Sequence, residues 1–127
     1  MLKFTRYVTA VSLVLLTVTT GCSHLEQLQG KSSASKVALA KHLKQSGVVL
    51  YGSPWCPSCN VLKKTFGKEA FKQLNYIECE GNNGRPELCQ KANITRIPAW
   101  EIKGRQYLGI SLQELADLSD YKGDRNF

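Results

Sequence analysis

From about residue 35 onward, the apolar positions alternate between helical and strand spacing in a regular order. Over Ser35–Ser46, Val37, Ala40 and Leu43 recur at helical intervals, and Ala38 and Leu39 widen the stripe. Ser33 or Ser35 can cap the start of this helix and Gly47 can end it. Val48–Tyr51 is a continuous apolar run with β-branched residues, which suits a short strand buried on both faces. Gly52-Ser53-Pro54 breaks that strand, and a helix opens within Trp55–Cys59. Pro57 falls in its first turn, where the missing proline N–H would have had no helical partner anyway. Val61, Leu62, Phe66, Ala70, Phe71 and Leu74 continue one apolar face with a bend at Gly67, and Phe66, Phe71 and Leu74 are expected in the core. Asn75–Cys79 alternates as a strand does, and Glu80–Arg85 holds Gly81, Asn82, Asn83 and Gly84, a loop. Pro86–Lys91 can form a short helix. Ala99–Lys103 and Arg105–Gly109 form a hairpin around Gly104. Ser111 and Glu114 make a capping box for a last helix ending near Ser119. The order α-β-α-β-α-β-β-α predicts an α/β sandwich over residues 36–120: a mixed sheet of about four strands flanked by helices, then a polar tail at 121–127.

The first residues follow another pattern. Lys3 and Arg6 precede Val8–Val18, an apolar stretch broken only by Thr9, Ser12 and Thr17, and small residues Thr19-Thr20-Gly21 follow. Residues 1–21 therefore read as an export signal, too short in its apolar part for a spanning helix. Residues 22–35 carry Gln27, Gln29, Gly30, Ser32 and Ser33 and few large apolar groups, as a tether would.

A chain of 127 residues has room for one compact domain. Its formal charge of +7 includes Lys3 and Arg6; without them fifteen Lys and Arg face ten Asp and Glu. The remaining basic residues alternate with acids and form no arginine-rich or aromatic-interleaved stripe, which argues against nucleic acid as a partner. A monomer with a solvated, mildly basic surface is expected.

The chemistry lies in the five cysteines, Cys22, Cys56, Cys59, Cys79 and Cys89. Export implies a compartment where disulfides persist. Cys56 and Cys59 form a C-x-x-C at the mouth of a helix, where unpaired N–H groups and the positive end of the helix dipole favour thiolate over thiol. Cys56 is thus the expected nucleophile. Cys59, one turn deeper on the same face, can attack a mixed disulfide formed at Cys56 and release the substrate. Cys79 ends a strand and Cys89 lies in the next short helix, so these two can approach bonding distance. They serve either as a structural staple, which is favoured, or as an auxiliary redox pair. A single four-cysteine zinc site is the competing reading, although Cys79 and Cys89 lack knuckle spacing. His24, in the tether, and His42, on the first helix, are expected at the surface rather than as ligands. No metal or other cofactor is called for. Trp100 and Tyr107 can line the active-site rim or pack in the core.

Trp55-Cys56-Pro57-Ser58-Cys59, Ile97-Pro98 and Gly109, in that order, resemble the thioredoxin superfamily over about Val37–Ser119. The resemblance implies a thioredoxin-like three-layer sandwich and protein disulfide oxidoreductase activity. It also implies a cis peptide bond before Pro98, beside the dithiol. Trp55, Ile97, Pro98 and Gly109 would then contact the substrate peptide. Tyr51–Cys59, Phe66-Gly67, Tyr76-Ile77-Glu78-Cys79, Cys89 and Ile97-Pro98-Ala99-Trp100 are similar to one branch in particular. That branch is the thioredoxin-like domain fused to, or working beside, vitamin K epoxide reductase homologues. It relays disulfides between the membrane enzyme and secreted proteins and carries an extra cysteine pair. The implied partners are exported protein thiols and disulfides and a membrane redox enzyme supplied by another chain, with oxidation or isomerisation favoured. The N-terminus resembles a bacterial lipoprotein signal, implying lipid attachment at Cys22 and a membrane-anchored protein of the periplasm or an equivalent lumen. One departure matters chemically. The thioredoxin family often has a buried acid six residues before the first cysteine, and here that residue is Leu50. Water or Glu101 is left to carry the proton. A non-catalytic binding or assembly factor on the same fold is the alternative of a different class.

Overall fold

Residues 32–127 are described by the computed structural model; the signal segment, Cys22, His24 and most of the expected tether lie outside them. The first helix, α1 (Ala34–Gln45), starts where Ser33 accepts the Lys36 N–H on its side-chain oxygen. Its buried residues Leu39, Ala40 and Leu43 form the stripe that the periodicity predicts. Strand β1 (Val49–Gly52) follows. The C-x-x-C helix, α2 (Pro57–Phe66), stops at Gly67, and one further turn, α3 (Lys68–Phe71), resumes after it. Then come β2 (Tyr76–Glu78), α4 (Pro86–Lys91), β3 (Ala99–Ile102), β4 (Arg105–Tyr107) and α5 (Leu112–Leu118).

Gly67 makes the break because its φ of 80° is open to glycine and its α-carbon lies against Ser32. A side-chain carbon there would meet the Ser32 hydroxyl at 2.6 Å. That hydroxyl accepts the Ala70 N–H at 2.8 Å, capping α3 from 38 residues earlier in the chain, while the Ser32 N–H donates to Glu69. The last residues of the expected tether are therefore part of the folded unit.

The sheet order is β2-β1-β3-β4, with β1 and β2 parallel and the other two pairings antiparallel. This is the mixed four-stranded sheet flanked by helices that the order of elements predicts, and it is consistent with a thioredoxin-like fold. Register decides which side chains share a face. Leu50 pairs with Tyr76 and with Trp100, and all three join the larger core with Phe66, Ile102, Leu39 and Leu115 under α1, α2 and α5. Tyr51 pairs with Ile77 and with Ala99, and these fill a smaller core on the other face, against Leu88 and Cys89 of α4. The final helix has both halves of its capping box in place.

The segment 121–127 departs from the expected polar tail. Tyr121 is only 6% exposed and joins the larger core, and Phe127 folds back onto its ring. The Ser35 hydroxyl donates to the Asn126 carbonyl, and Arg125 pairs with Asp117. Two aromatic rings among polar neighbours suffice to dock it. His42 tilts against Tyr121 and hydrogen-bonds through its ring nitrogen with the Ser119 carbonyl, so it helps hold this C-terminal segment.

Candidate active site

The site begins with how α2 starts. Its N-cap is Cys56, with extended backbone, and Pro57 takes the first helical position. The Cys56 sulfur does what a serine oxygen usually does at a cap: it accepts the Cys59 N–H, at 3.2 Å. On its other side it lies 3.9 Å from the carbonyl oxygen of Ile97, to which the thiol can donate. The Ile97–Pro98 peptide bond is cis. The fold therefore brings Cys56, Ile97 and Pro98 together, the neighbourhood that the family resemblance implies.

Cys59 is 2% exposed, whereas Cys56 is partly open to solvent. Burial, followed by the contact with Cys56, pushes the Cys59 thiol up to about 11, against the opposing pull of the Ser53 backbone and the Lys63 ammonium. One sulfur is thus reachable, held between a backbone donor and a backbone acceptor. The other is sequestered directly behind it and holds its proton.

Trp55 is 74% exposed and forms an apolar lip. Pro98, Gly109, Val61, Leu62, Ser58 and Trp100 border an open groove beside the dithiol. Gly109 has a φ of 63° and nothing within 4 Å of where a side chain would stand, so the groove is unobstructed there. Trp100 belongs to both descriptions offered by the sequence: it is buried against Phe66 and its edge reaches the groove. Tyr107 packs against the core on the outer strand and does not border this groove.

Cys79 and Cys89 are joined by a disulfide. Two of the four cysteines needed for a zinc site are thereby bonded to each other, so the four-cysteine reading fails. Glu101 is also corrected as a proton carrier. It stands on the face of Tyr51, whose phenol is pushed up by burial and then by the Glu101 charge, and the two border one shallow pocket. Cys59 lies on the opposite face, against Gly52 and Tyr76.

The structure adds residues that the sequence reading passed over. Ser53, read only as part of a strand break, is buried; its hydroxyl donates to Glu80 at 2.9 Å and accepts the Trp55 N–H. Its carbonyl accepts the Cys56 N–H. Lys63 lies over the rings of Phe71 and Tyr76 and 3.8 Å from Glu78. A basic side chain one turn beyond a C-x-x-C, on its buried side, was the available signal for it.

No family model matches the chain. It is 36% identical over 105 residues to a protein of Arabidopsis thaliana named thiol-disulfide oxidoreductase LTO1. The match takes in 78% of this chain and 28% of that protein, so the chain spans little more than a quarter of the length of the relative. The name of that homologue and this chain's own two neighbouring unpaired cysteines at a helix start together support a redox role for this chain.

Proposed function

We propose that the protein is a thiol–disulfide oxidoreductase in which Cys56 attacks and Cys59 resolves. The observation that carries this reading is the setting of the Cys56 sulfur, between the Cys59 N–H and the Ile97 carbonyl beside cis-Pro98. The Cys56 thiolate attacks a substrate disulfide, a mixed disulfide forms, and one substrate sulfur leaves as thiolate. Cys59, deprotonated, then attacks the Cys56 sulfur; the Cys56–Cys59 bond forms and the second substrate sulfur leaves with its electron pair. Run backward, the same steps oxidise a substrate dithiol. An extended substrate segment would lie along Trp55, Ile97, Pro98 and Gly109.

The setting proposed is outside the cytoplasm, with Cys22 as a lipid anchor and exported proteins as substrates. A vitamin K epoxide reductase-like membrane enzyme is the proposed redox partner, and oxidation or isomerisation the favoured direction. The Cys79–Cys89 disulfide acts as a staple. Insulin reduction by dithiothreitol and oxidation of a dithiol peptide should both be accelerated by the wild-type protein. Cys56→Ser should lose about a hundredfold or more, because no second exposed thiol among the described residues replaces the nucleophile. Equal rates for the two proteins would reduce the molecule to a binding factor on this fold.

A further inference from the structure

Tyr76 stands on β2 with its ring on the face covered by α2. The ring makes an edge contact with Phe71, at a centroid distance of 5.0 Å, and lies 4.9 Å beneath the Lys63 ammonium. Its hydroxyl oxygen is buried, and it is the one buried side-chain oxygen or nitrogen among the described residues with no hydrogen-bond partner. Folded proteins rarely leave such a group idle. Gly52 explains where it points. A side-chain carbon on Gly52 would lie 2.8 Å from the Tyr76 hydroxyl oxygen and 3.2 Å from the Cys59 sulfur. Oxygen and sulfur therefore border the same spot, no further apart than those two distances together, and the absence of a side chain at Gly52 leaves the space between them open.

We propose that the Tyr76 hydroxyl is the hydrogen-bond donor that receives the charge of Cys59 whenever that sulfur is a thiolate. This rests on the exchange reading above and assigns a group to its resolving step. In the dithiol form the Cys59 proton is shared toward Cys56, and the tyrosine has nothing to donate to. Once Cys59 has lost that proton to solvent, its thiolate needs donors in a buried place. The Ser53 backbone and the Lys63 ammonium favour the charge, and the Tyr76 O–H is the neutral donor beside it. The same bond assists the reverse step, when Cys59 leaves as thiolate from the Cys56–Cys59 disulfide.

The other charged groups nearby are engaged elsewhere. Glu78 on β2 faces Lys63, Glu80 accepts the Ser53 hydroxyl, and Glu101 on β3 lies on the opposite face of the sheet beside Tyr51. Burial first, then Glu78 and the two cysteines, raises the Tyr76 phenol far above its ordinary value, so it stays protonated wherever the protein works. A neutral phenol thus stands in for the acid missing at Leu50: it lends a hydrogen bond rather than accepting the proton.

The experiment uses the reduced protein and a chromogenic aromatic disulfide in stopped flow. A first thiolate is released as Cys56 forms the mixed disulfide, and a second as Cys59 resolves it. Tyr76→Phe keeps the ring and should leave the first phase unchanged. The second phase should slow about three- to tenfold near neutral pH and climb with pH along a profile displaced upward. A thiolate fraction lost tenfold per unit of pKa is offset only in part by the greater nucleophilicity of the more basic sulfur. Tyr51→Phe removes a buried phenol from the other face and should change neither phase. Fluorotyrosine at position 76, a stronger donor of the same shape, should speed the second phase, and it serves if Tyr76→Phe does not fold. A second phase with unaltered rate and pH profile in Tyr76→Phe, or equal slowing of both phases, would overturn the proposal. Release of a single thiolate by the wild type would instead overturn the exchange reading on which it rests.

Discussion

Both cysteine pairs meet at Gly52, yet their surroundings are opposite. The Cys59 sulfur borders the α-carbon of Gly52 on the face covered by α2, while the Cys79 N–H donates to the Gly52 carbonyl at 2.8 Å. Cys56 and Cys59 sit where a helix starts, one sulfur within reach of solvent and of a backbone donor, the other buried behind it. Cys79 and Cys89 are closed into a bond, and Cys89 is buried in the smaller core with Tyr51, Ile77 and Ala99. Cysteine chemistry follows what surrounds the sulfur more than the number of cysteines present. A helix terminus and an open groove suit one pair to the exchange proposed for it, and a small apolar cluster suits the other to the structural role proposed for it.

The sharpest way to widen this contrast is pH. With its thiol pushed up to about 11 by burial, Cys59 is almost wholly protonated near neutrality. The resolving rate, followed as release from a preformed Cys56 mixed disulfide, should rise about tenfold per pH unit through neutrality and level off at alkaline pH, below the dithiol value because the raising contact with the Cys56 thiol is lost in the adduct. A plateau near neutral pH would mean that the sulfur is far less sequestered than its 2% exposure implies. The smaller effect belongs to the other pair. Cys79→Ser with Cys89→Ser reopens a loop of ten residues' separation, which should lower the unfolding free energy by about 2–3 kcal/mol in denaturant titration. Exchange rates should stay within about twofold, because the Cys79 and Cys89 side chains lie in the smaller core, on the face of the sheet away from Cys59. A large fall in exchange at unchanged stability would turn the staple into a redox relay.

Much of this arrangement is legible in the chain. Helical spacing of Val37, Ala40 and Leu43, the Val48–Tyr51 run, Gly104 between two extended segments and the Ser111–Glu114 box each name their element through local geometry. A strand end at Cys79 and a short helix at Cys89 let these two approach bonding distance, and the structure joins them. What is missed depends on register and on distant contacts. The alternation of Asn75–Cys79 marks a strand, but only the pairing of Leu50 with Tyr76 puts that phenol on the side of Cys59. The same pairing rules sent Glu101 to the wrong side for the role first given to it. Ser32 capping a helix at Ala70, and the docking of the last segment through Tyr121 on His42 and Asn126 on Ser35, join residues far apart in sequence and carry no local signal.

The central claim is that exchange passes through Cys56 while Cys79–Cys89 stays closed, and trapping tests it most directly. Cys59→Ser is incubated with a disulfide-bonded peptide, and the adduct is located by peptide mass mapping. The account predicts a stable mixed disulfide on Cys56, with the Cys79–Cys89 bond intact. An adduct on Cys79 or Cys89, or none on any of the domain's cysteines, would contradict it.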